Sequence, residues 1–193
     1  INTDYSTRIG MIITISGEAG AGKGSVGRLL AKRLRFKFYS IGEIIRKIAR
    51  EQGVSVEELN KQAEHDYTTD RLVDSYQKKL GKHQDNFVLD SRLGFYFIPH
   101  SVKVYLTADL MVRAKRIIND KRREEHYTTV REAIKKIKER KESDQRRYKK
   151  LYSIDCYNPR LYDIVIDTTK LSINEVVDRI VKKLDNVQNK KFI

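Results

Sequence analysis

Cysteine occurs once in these 193 residues, at Cys156, and proline twice, at Pro99 and Pro159. A lone cysteine excludes an intrachain disulfide and a cysteine-based zinc cluster, leaving packing as its expected role. Both prolines fall in expected loops, so no proline interrupts a helix or strand. No apolar run approaches the ~18 residues that a membrane-spanning helix needs. No signal-peptide pattern opens the chain, which is what a cytoplasmic protein would show. The four histidines, His65, His83, His100 and His126, fall at no metal-ligand spacing, and neither a Ser-His-acid nor a Cys-His set can be assembled. Internal repeats and low-complexity runs are missing too.

Acid is the other shortage. Against 40 Lys and Arg stand 26 Asp and Glu, a net charge of +14 at pH 7. Between Met111 and Lys150 sixteen basic residues face seven acidic ones, so most of the excess sits there. Such a region can neutralise the clustered phosphates of two nucleotides, hold an RNA backbone, or form a solvated helix face.

What the chain does have is a glycine-rich turn, Gly17-Glu-Ala-Gly20-Ala21-Gly22-Lys23-Gly24-Ser25, between the apolar run Met11–Ile15 and the helical pattern Val26–Leu34. The first N–H groups of a helix lack intrahelical partners, and glycines let the loop curl those groups around a polyphosphate while Lys23 reaches its transferable end. The hydroxyl that usually follows the lysine arrives one place late, at Ser25. Gly22-x-Gly24-x-x-Gly27 also fits a dinucleotide fingerprint. The second strand, however, ends at Phe38-Tyr39-Ser40 without the acid that would hold a ribose.

Strand and helix signals alternate, the pattern of an open parallel sheet covered on both faces. Short apolar strands are expected at Met11–Ile15, Phe36–Tyr39, Phe87–Leu89, Val102–Leu106 and Ile164–Ile166. Capping boxes at Ser55/Glu58, Thr129/Glu132 and Ser172/Glu175 mark helix starts. The last opens a closing helix, Ile173–Leu184, with an apolar stripe through Val176, Val177, Ile180, Val181 and Leu184. This gives one domain over residues 11–185, preceded by a polar leader at 1–10 (an appended remnant or an ordered tail) and followed by a polar tail at 186–193. Two stretches do not look like core units. Residues 41–80 are polar and helical in two pieces around Gly53, and 121–152 are strongly charged with thin apolar positions at Val130, Ile134 and Ile137. Both are expected to move.

Candidate site residues lie where strands hand over to helices. Ser40 and Arg46 follow the second strand, where a hydroxyl can meet a phosphate or base and an arginine fork can clamp a phosphate. Asp90 and Arg92 follow the third, near a Mg²⁺ ion or its waters and an acceptor phosphate respectively. Arg140, Asp144 and Arg147 stand at i, i+4 and i+7 on one helix face, forming either a surface ion-pair ladder or a clamp in which the acid orients the arginines.

Together, the glycine-rich loop, Tyr39-Ser-Ile-Gly-Glu-Ile-Ile-Arg46, Asp90-Ser-Arg92, Val104–Arg116, Glu139-Arg140, Ser143-Asp144, Arg147-Tyr148 and Tyr162–Thr169 resemble the cytidylate kinase family, best in its shorter archaeal-type members. The resemblance runs from Met11 to about Leu184. It implies an α/β P-loop three-layer sandwich with a five-stranded parallel sheet, a helical monophosphate-binding segment at 41–80 and a short helical lid within 121–152. It implies ATP and Mg²⁺ as cofactors, with Lys23 on the β- and γ-phosphates and Ser25 and Asp90 near the metal, largely through waters. Arg46 and Arg92 would hold the monophosphate, Arg140 and Arg147 would meet the γ-phosphate, and Asp144 would be the lid acid. Among Asp70, Asp74 and Gln77, the last candidates for reading the base, Asp74 best matches an acid of the archaeal-type pattern.

The acceptor implied is CMP or dCMP. Two departures bear on it: Leu93 follows Arg92 where bacterial-type members carry an acid, and Ser91 stands where adenylate kinases have Gly-Phe-Pro. AMP or UMP on the same scaffold is the first alternative. The second is a nucleotide-dependent RNA-binding or ribosome-associated protein, with Tyr148, Tyr152 and Tyr157 beside Lys149-Lys150 as the stacking residues.

Overall fold

A computed structural model describes residues 10–63, 65–120 and 127–191, with side chains as far as Leu184. The leader before Gly10, the first residues of the expected lid at 121–126, and His126 lie outside the described residues. The elements run β1 (Ile12–Gly17), α1 (Lys23–Leu34), β2 (Lys37–Ser40), α2 (Ile41–Gln52), α3 (Val56–Gln62), α4 (Thr68–His83), β3 (Phe87–Asp90), α5 (Gly94–Phe97), β4 (Val102–Thr107), α6 (Leu110–Asn119), α7 (Val130–Tyr152), a 3-10 turn at Pro159–Leu161, β5 (Ile164–Asp167) and α8 (Ile173–Lys191).

The five strands form one parallel sheet in the order β2-β3-β1-β4-β5. Central β1 is buried at all six positions because it has a strand on each side and helices on both faces. One helical layer is α1 and α8, whose Leu30, Leu34, Val177, Ile180 and Leu184 pack on Ile13, Ile15 and Val104. On the other face, Val73 and Leu80 of α4 pack with Ile98 on Ile12, Phe87 and Leu89. This is the expected three-layer α/β sandwich, with apolar strands dictating the sheet and amphipathic helices covering it.

Several boundaries differ from the sequence reading. Every strand runs one or two residues further at its carboxyl end, because the polar residues there (Ser40, Asp90, Thr107, Asp167) remain in the ladder. Burial on both faces fails at the edge strands: β5 alternates buried and exposed, with Val165 39% exposed. Residues 41–80 form three helices rather than two. The second break precedes α4, where the Asp66 carboxylate accepts from both the N–H and the hydroxyl of Thr68 and competes with helix continuation. Backbone helix in α8 continues to Lys191, through most of the segment read as a polar tail.

The capping boxes at Ser55/Glu58 and Ser172/Glu175 close in both directions. At Thr129 only half forms: Thr129 Oγ1 accepts from Glu132 N–H, while the Glu132 carboxylate turns to the N–H of Thr128. Among the described residues, no helix is long and apolar enough to cross a membrane.

Candidate active site

The carboxyl ends of β1, β3 and β5 open onto a cavity of about 790 Å³. Its first wall is the glycine-rich loop, and glycine is obligatory there. A Cβ on Gly17 (φ 134°) would fall 2.0 Å from the Leu106 carbonyl, and one on Gly20 (φ 79°) 2.6 Å from that of Arg113. Gly22 is the N-cap of α1 and supplies no side-chain acceptor, so the helix presents its amino end to the cavity with the macrodipole behind it. Gly20, Ala21, Gly22, Lys23, Gly24 and Ser25 all line the cavity; Gly17 lies behind them. Lys23 Nζ donates to the Glu18 carbonyl at 2.8 Å, folded over its own loop.

Asp90 ends β3, paired in register with Ile15 and Ser40. Its Oδ2 accepts from the Ser40 hydroxyl at 3.4 Å and lies 3.6 Å from where a Cβ on Gly24 would be. The carboxylate therefore stands against the loop, one residue from Ser25. Ser40 itself is the N-cap of α2 and accepts from Glu43 N–H; it is buried and does not line the cavity. Arg46, one turn into α2, does line it, as does Arg92.

The far wall is one face of α4. Asp70, Val73, Asp74 and Gln77 line the cavity at spacings that place them on adjacent turns. Burial pushes the Asp70 carboxyl up to about 6; Arg147 opposes this, and Asp74 and Asp144 add to it. Burial also raises Asp74, partly offset by a hydrogen bond from the Tyr152 hydroxyl. Gln77 is fully buried, and its Oε1 accepts from the Ser91 hydroxyl.

Of the three residues read as one helix face, only Arg140 lines the cavity. Asp144 is 2% exposed: it forms an ion pair with Arg92 Nε at 2.8 Å and accepts from Tyr157 Oη at 2.8 Å and Arg147 Nη2 at 3.4 Å, while Arg92 Nε donates to Tyr157 Oη at 3.3 Å. Arg147 is equally buried. It contacts Asp70 Oδ2 at 3.3 Å and donates to the Asn60 carbonyl and to the Tyr148 hydroxyl; Asp70 and Tyr148 line the cavity and Arg147 does not. The surface-ladder alternative is thus excluded: the acid orients arginines, namely Arg92 and Arg147. Nor do the three tyrosines form a stacking platform. Tyr148, Tyr152 and Tyr157 pack with Leu93, Phe95 and Tyr105 in an aromatic cluster around Cys156, whose thiol burial pushes up to about 12.

These parts bring together one anion cradle, one acid at a strand end, four cavity-lining arginines (Arg46, Arg92, Arg116 and Arg140) and a largely polar face of α4. A family model for the cytidylate kinase-like family matches residues 12–170, which include all of them. The chain belongs to that family. The cytidylate kinase of Archaeoglobus fulgidus is 36% identical over 176 residues, covering 91% of this chain and 95% of its own length. That of Methanobrevibacter smithii is 39% identical over 158 residues, covering 82% and 89%. Among solved structures, a shikimate kinase from Acinetobacter baumannii matches with TM-score 0.63 at 17% identity, covering 96% of this chain and 98% of its own. A shikimate kinase from Aquifex aeolicus gives TM-score 0.58 at 22% identity, covering 92% and 98%. These two are likenesses of fold.

In this cytidylate kinase-like chain the sequence reading overlooked several participants. Arg116 donates to the hydroxyl and carbonyl of Thr168, and the Thr168 hydroxyl in turn donates to the Ala21 carbonyl, tying α6 and the β5 end to the loop. Both line the cavity beside Leu171 and Ile173, a half-apolar lobe on the opposite side of the loop from α4. Arg116 and Thr168 fall inside the segments that carried the family resemblance, which was the available signal. Glu18 lay inside the glycine-rich loop and Tyr157 among the candidate stacking residues, but the partners that define their positions, Lys141 and Asp144, are not legible from their neighbours in sequence.

Proposed function

We propose that this protein transfers the γ-phosphoryl group of ATP to CMP or dCMP, giving ADP and CDP or dCDP. The observation that carries this reading is that one cavity is lined together by the amino end of α1 with Lys23, by Arg46 and Arg92, and by the Asp70–Asp74–Gln77 face. A triphosphate on the loop and a monophosphate held by the arginines would meet end to end.

The chemistry is the attack of a monophosphate oxygen on the γ-phosphorus, with cleavage of its bond to the bridging oxygen of ADP. That oxygen is already ionised near neutral pH, so no strong general base is needed; bringing two polyanions into line is the difficulty. Loop N–H groups and Lys23 hold the donor, Arg46 and Arg92 the acceptor. Arg140 is placed to meet the charge that develops on the transferring group. Arg147, held by Asp70 and Asp144, would reach the γ-phosphate only after a shift of α7 toward the nucleotides. Closure that waits for both substrates keeps water from taking the phosphoryl group.

The site suits Mg²⁺. The Asp90 carboxylate stands against the loop beside Gly24 and Ser25, and Mg²⁺ takes one or two protein oxygens and completes its shell with phosphates and waters. Asp90 and Ser25 would hold it, largely through those waters. When bound, it neutralises charge on the phosphate oxygens.

The acceptor base follows from hydrogen-bond polarity. Asp74 offers an acceptor. Gln77, with its carbonyl oxygen occupied by Ser91, offers its amide N–H groups. Cytosine presents the complement, an amino donor beside ring N3 and O2 acceptors, whereas uracil reverses the first two. Adenine shares the donor–acceptor edge on a larger ring, so AMP is the competitor to test.

Coupled ADP release with ATP and Mg²⁺, adding CMP, dCMP, UMP or AMP singly and using Lys23→Ala as the blank, tests the reading. Stimulation by CMP or dCMP supports it, and preference for AMP or UMP moves only the base assignment. No stimulation by any monophosphate overturns it.

A further inference from the structure

Glu18 is an oddity: an acidic side chain in the loop that must receive a polyanion. A carboxylate there opposes anion binding unless it is neutralised and turned away. Every polar group of Glu18 is engaged. Its N–H donates to the Leu106 carbonyl at 3.2 Å, and its carbonyl accepts from Lys23 Nζ and from Ala21 N–H. One carboxylate oxygen accepts from the Thr107 hydroxyl at 2.9 Å and lies 3.5 Å from Arg113 Nη2; the other accepts from Lys141 Nζ at 3.2 Å.

These partners differ in kind. Thr107 ends β4, and Arg113 is buried in α6, bonded also to the Ala108 and Ala19 carbonyls, so both belong to the fixed floor beneath the loop. Lys141 belongs to α7, is 40% exposed, and sits over the Tyr157 ring. Its neighbour in sequence is Arg140, the α7 arginine that lines the cavity. A contact at Lys141 therefore fixes where Arg140 stands relative to the phosphates, since adjacent residues of one helix cannot move independently.

We propose that Glu18 is a positioning residue for phosphoryl transfer: paired with Lys141, it is the stop against which α7 seats, setting Arg140 at the transferring group. This rests on the kinase reading above. It goes beyond that reading in giving the loop a second task, locating the lid as well as holding the donor. Arg113 satisfies and partly neutralises the acid when Lys141 is absent, so the stop can open without stranding a charge.

The inference makes an asymmetric prediction. If Glu18 acted only as a charge near the nucleotide, Glu18→Gln would improve ATP binding and leave turnover unchanged or better. As a stop, Glu18→Gln and Lys141→Met each lower kcat about 10- to 100-fold, the range expected for misplacing a reacting group. KM for CMP should stay within about threefold, and the melting temperature of Lys141→Met close to wild type, because Lys141 is 40% exposed and an ion pair at such a side chain contributes little to stability. The double variant should be no slower than the slower single one, and Lys141→Arg should recover most of the rate. Either single variant within twofold of wild-type kcat, additive losses, or an Arg variant as slow as Met would each overturn the stop.

A readout independent of turnover separates this from failure of the acceptor assignment. Hydrogen exchange over 135–150 should slow when a non-hydrolysable ATP analogue binds the wild type, and slow less in Lys141→Met. Equal protection in both proteins would overturn the inference whatever the acceptor.

Discussion

Asp144 and Arg92, 52 positions apart in the chain, meet at 2.8 Å with both side chains largely out of water. The acid comes from the middle of α7 and the arginine from the turn just after β3, so this pair fastens α7 to the sheet. The same carboxylate reaches Arg147 one turn along its own helix and takes the Tyr157 hydroxyl. Breaking a buried ion pair at one partner leaves the other charge uncompensated. Asp144→Asn should therefore destabilise the protein by ~3–5 kcal/mol in urea or guanidinium unfolding. CMP-dependent kcat/KM should fall by about 10²-fold or more as Arg92 loses its orientation. A loss below ~1 kcal/mol would show that the pair, though buried, contributes no more than a surface ion pair.

Lys23 presents the opposite case. Its ammonium bonds the Glu18 carbonyl of its own loop, and the side chain lies outside the apolar core, so Lys23→Ala should leave unfolding within ~1 kcal/mol of wild type. Turnover should fall by about 10²- to 10³-fold, the usual effect of removing a preorganised group aimed at developing charge. Isothermal titration with ATP beside steady-state rates would separate lost binding from lost transfer.

Base choice should follow the polarity of the α4 face. Asp74→Asn replaces an acceptor-only group by one that can also donate, matching the O4 of uracil. The ratio of UMP to CMP turnover should rise by about 10- to 100-fold, within the range that one hydrogen-bonding mismatch supplies. An unchanged ratio would place the base reader elsewhere.

Asp70 should leave a mark on the pH dependence of stability. Its carboxyl moves from the usual 3.8 up to about 6 in the folded protein, chiefly through burial. The folded state then binds the proton more tightly than the unfolded chain. The stabilisation is fully present below about pH 4 and is lost as pH rises through about 6. Asp70→Asn removes this dependence, so the stability difference, wild type minus variant, should fall across pH 4 to 6.5 and flatten above. A difference that rises over that window would show that the ion pair to Arg147 outweighs burial.

The legible parts of this molecule were local ones. The glycine-rich loop, the five apolar strands and the closing helix are each written in consecutive residues whose chemistry needs no distant partner, and all took their expected places. Edge position was not legible: Val165 reads like any core strand residue, and only the sheet order exposes it. The break before α4 depended on one Asp66 carboxylate competing for the helix start. Arg140, Asp144 and Arg147 shared a face as their spacing required, yet which of them turns inward was decided by Arg92, Tyr157 and Asp70, brought there by the sheet and by α4. Ser40 sat at the expected strand end and was consumed as a helix cap.

Helix α7 is one uninterrupted run of 23 residues. Along it Lys136 meets Glu57, Arg140 lines the cavity, Lys141 meets Glu18, Asp144 meets Arg92, Arg147 meets Asp70 and Tyr152 meets Asp74. It is cut like a key, with each tooth at a fixed rise of ~1.5 Å and turn of ~100° from the last. A single tooth can be filed by substitution and the others still engage. Adding or removing one residue between Lys136 and Tyr152 would turn every later tooth out of its ward, so this stretch can vary in composition far more freely than in length.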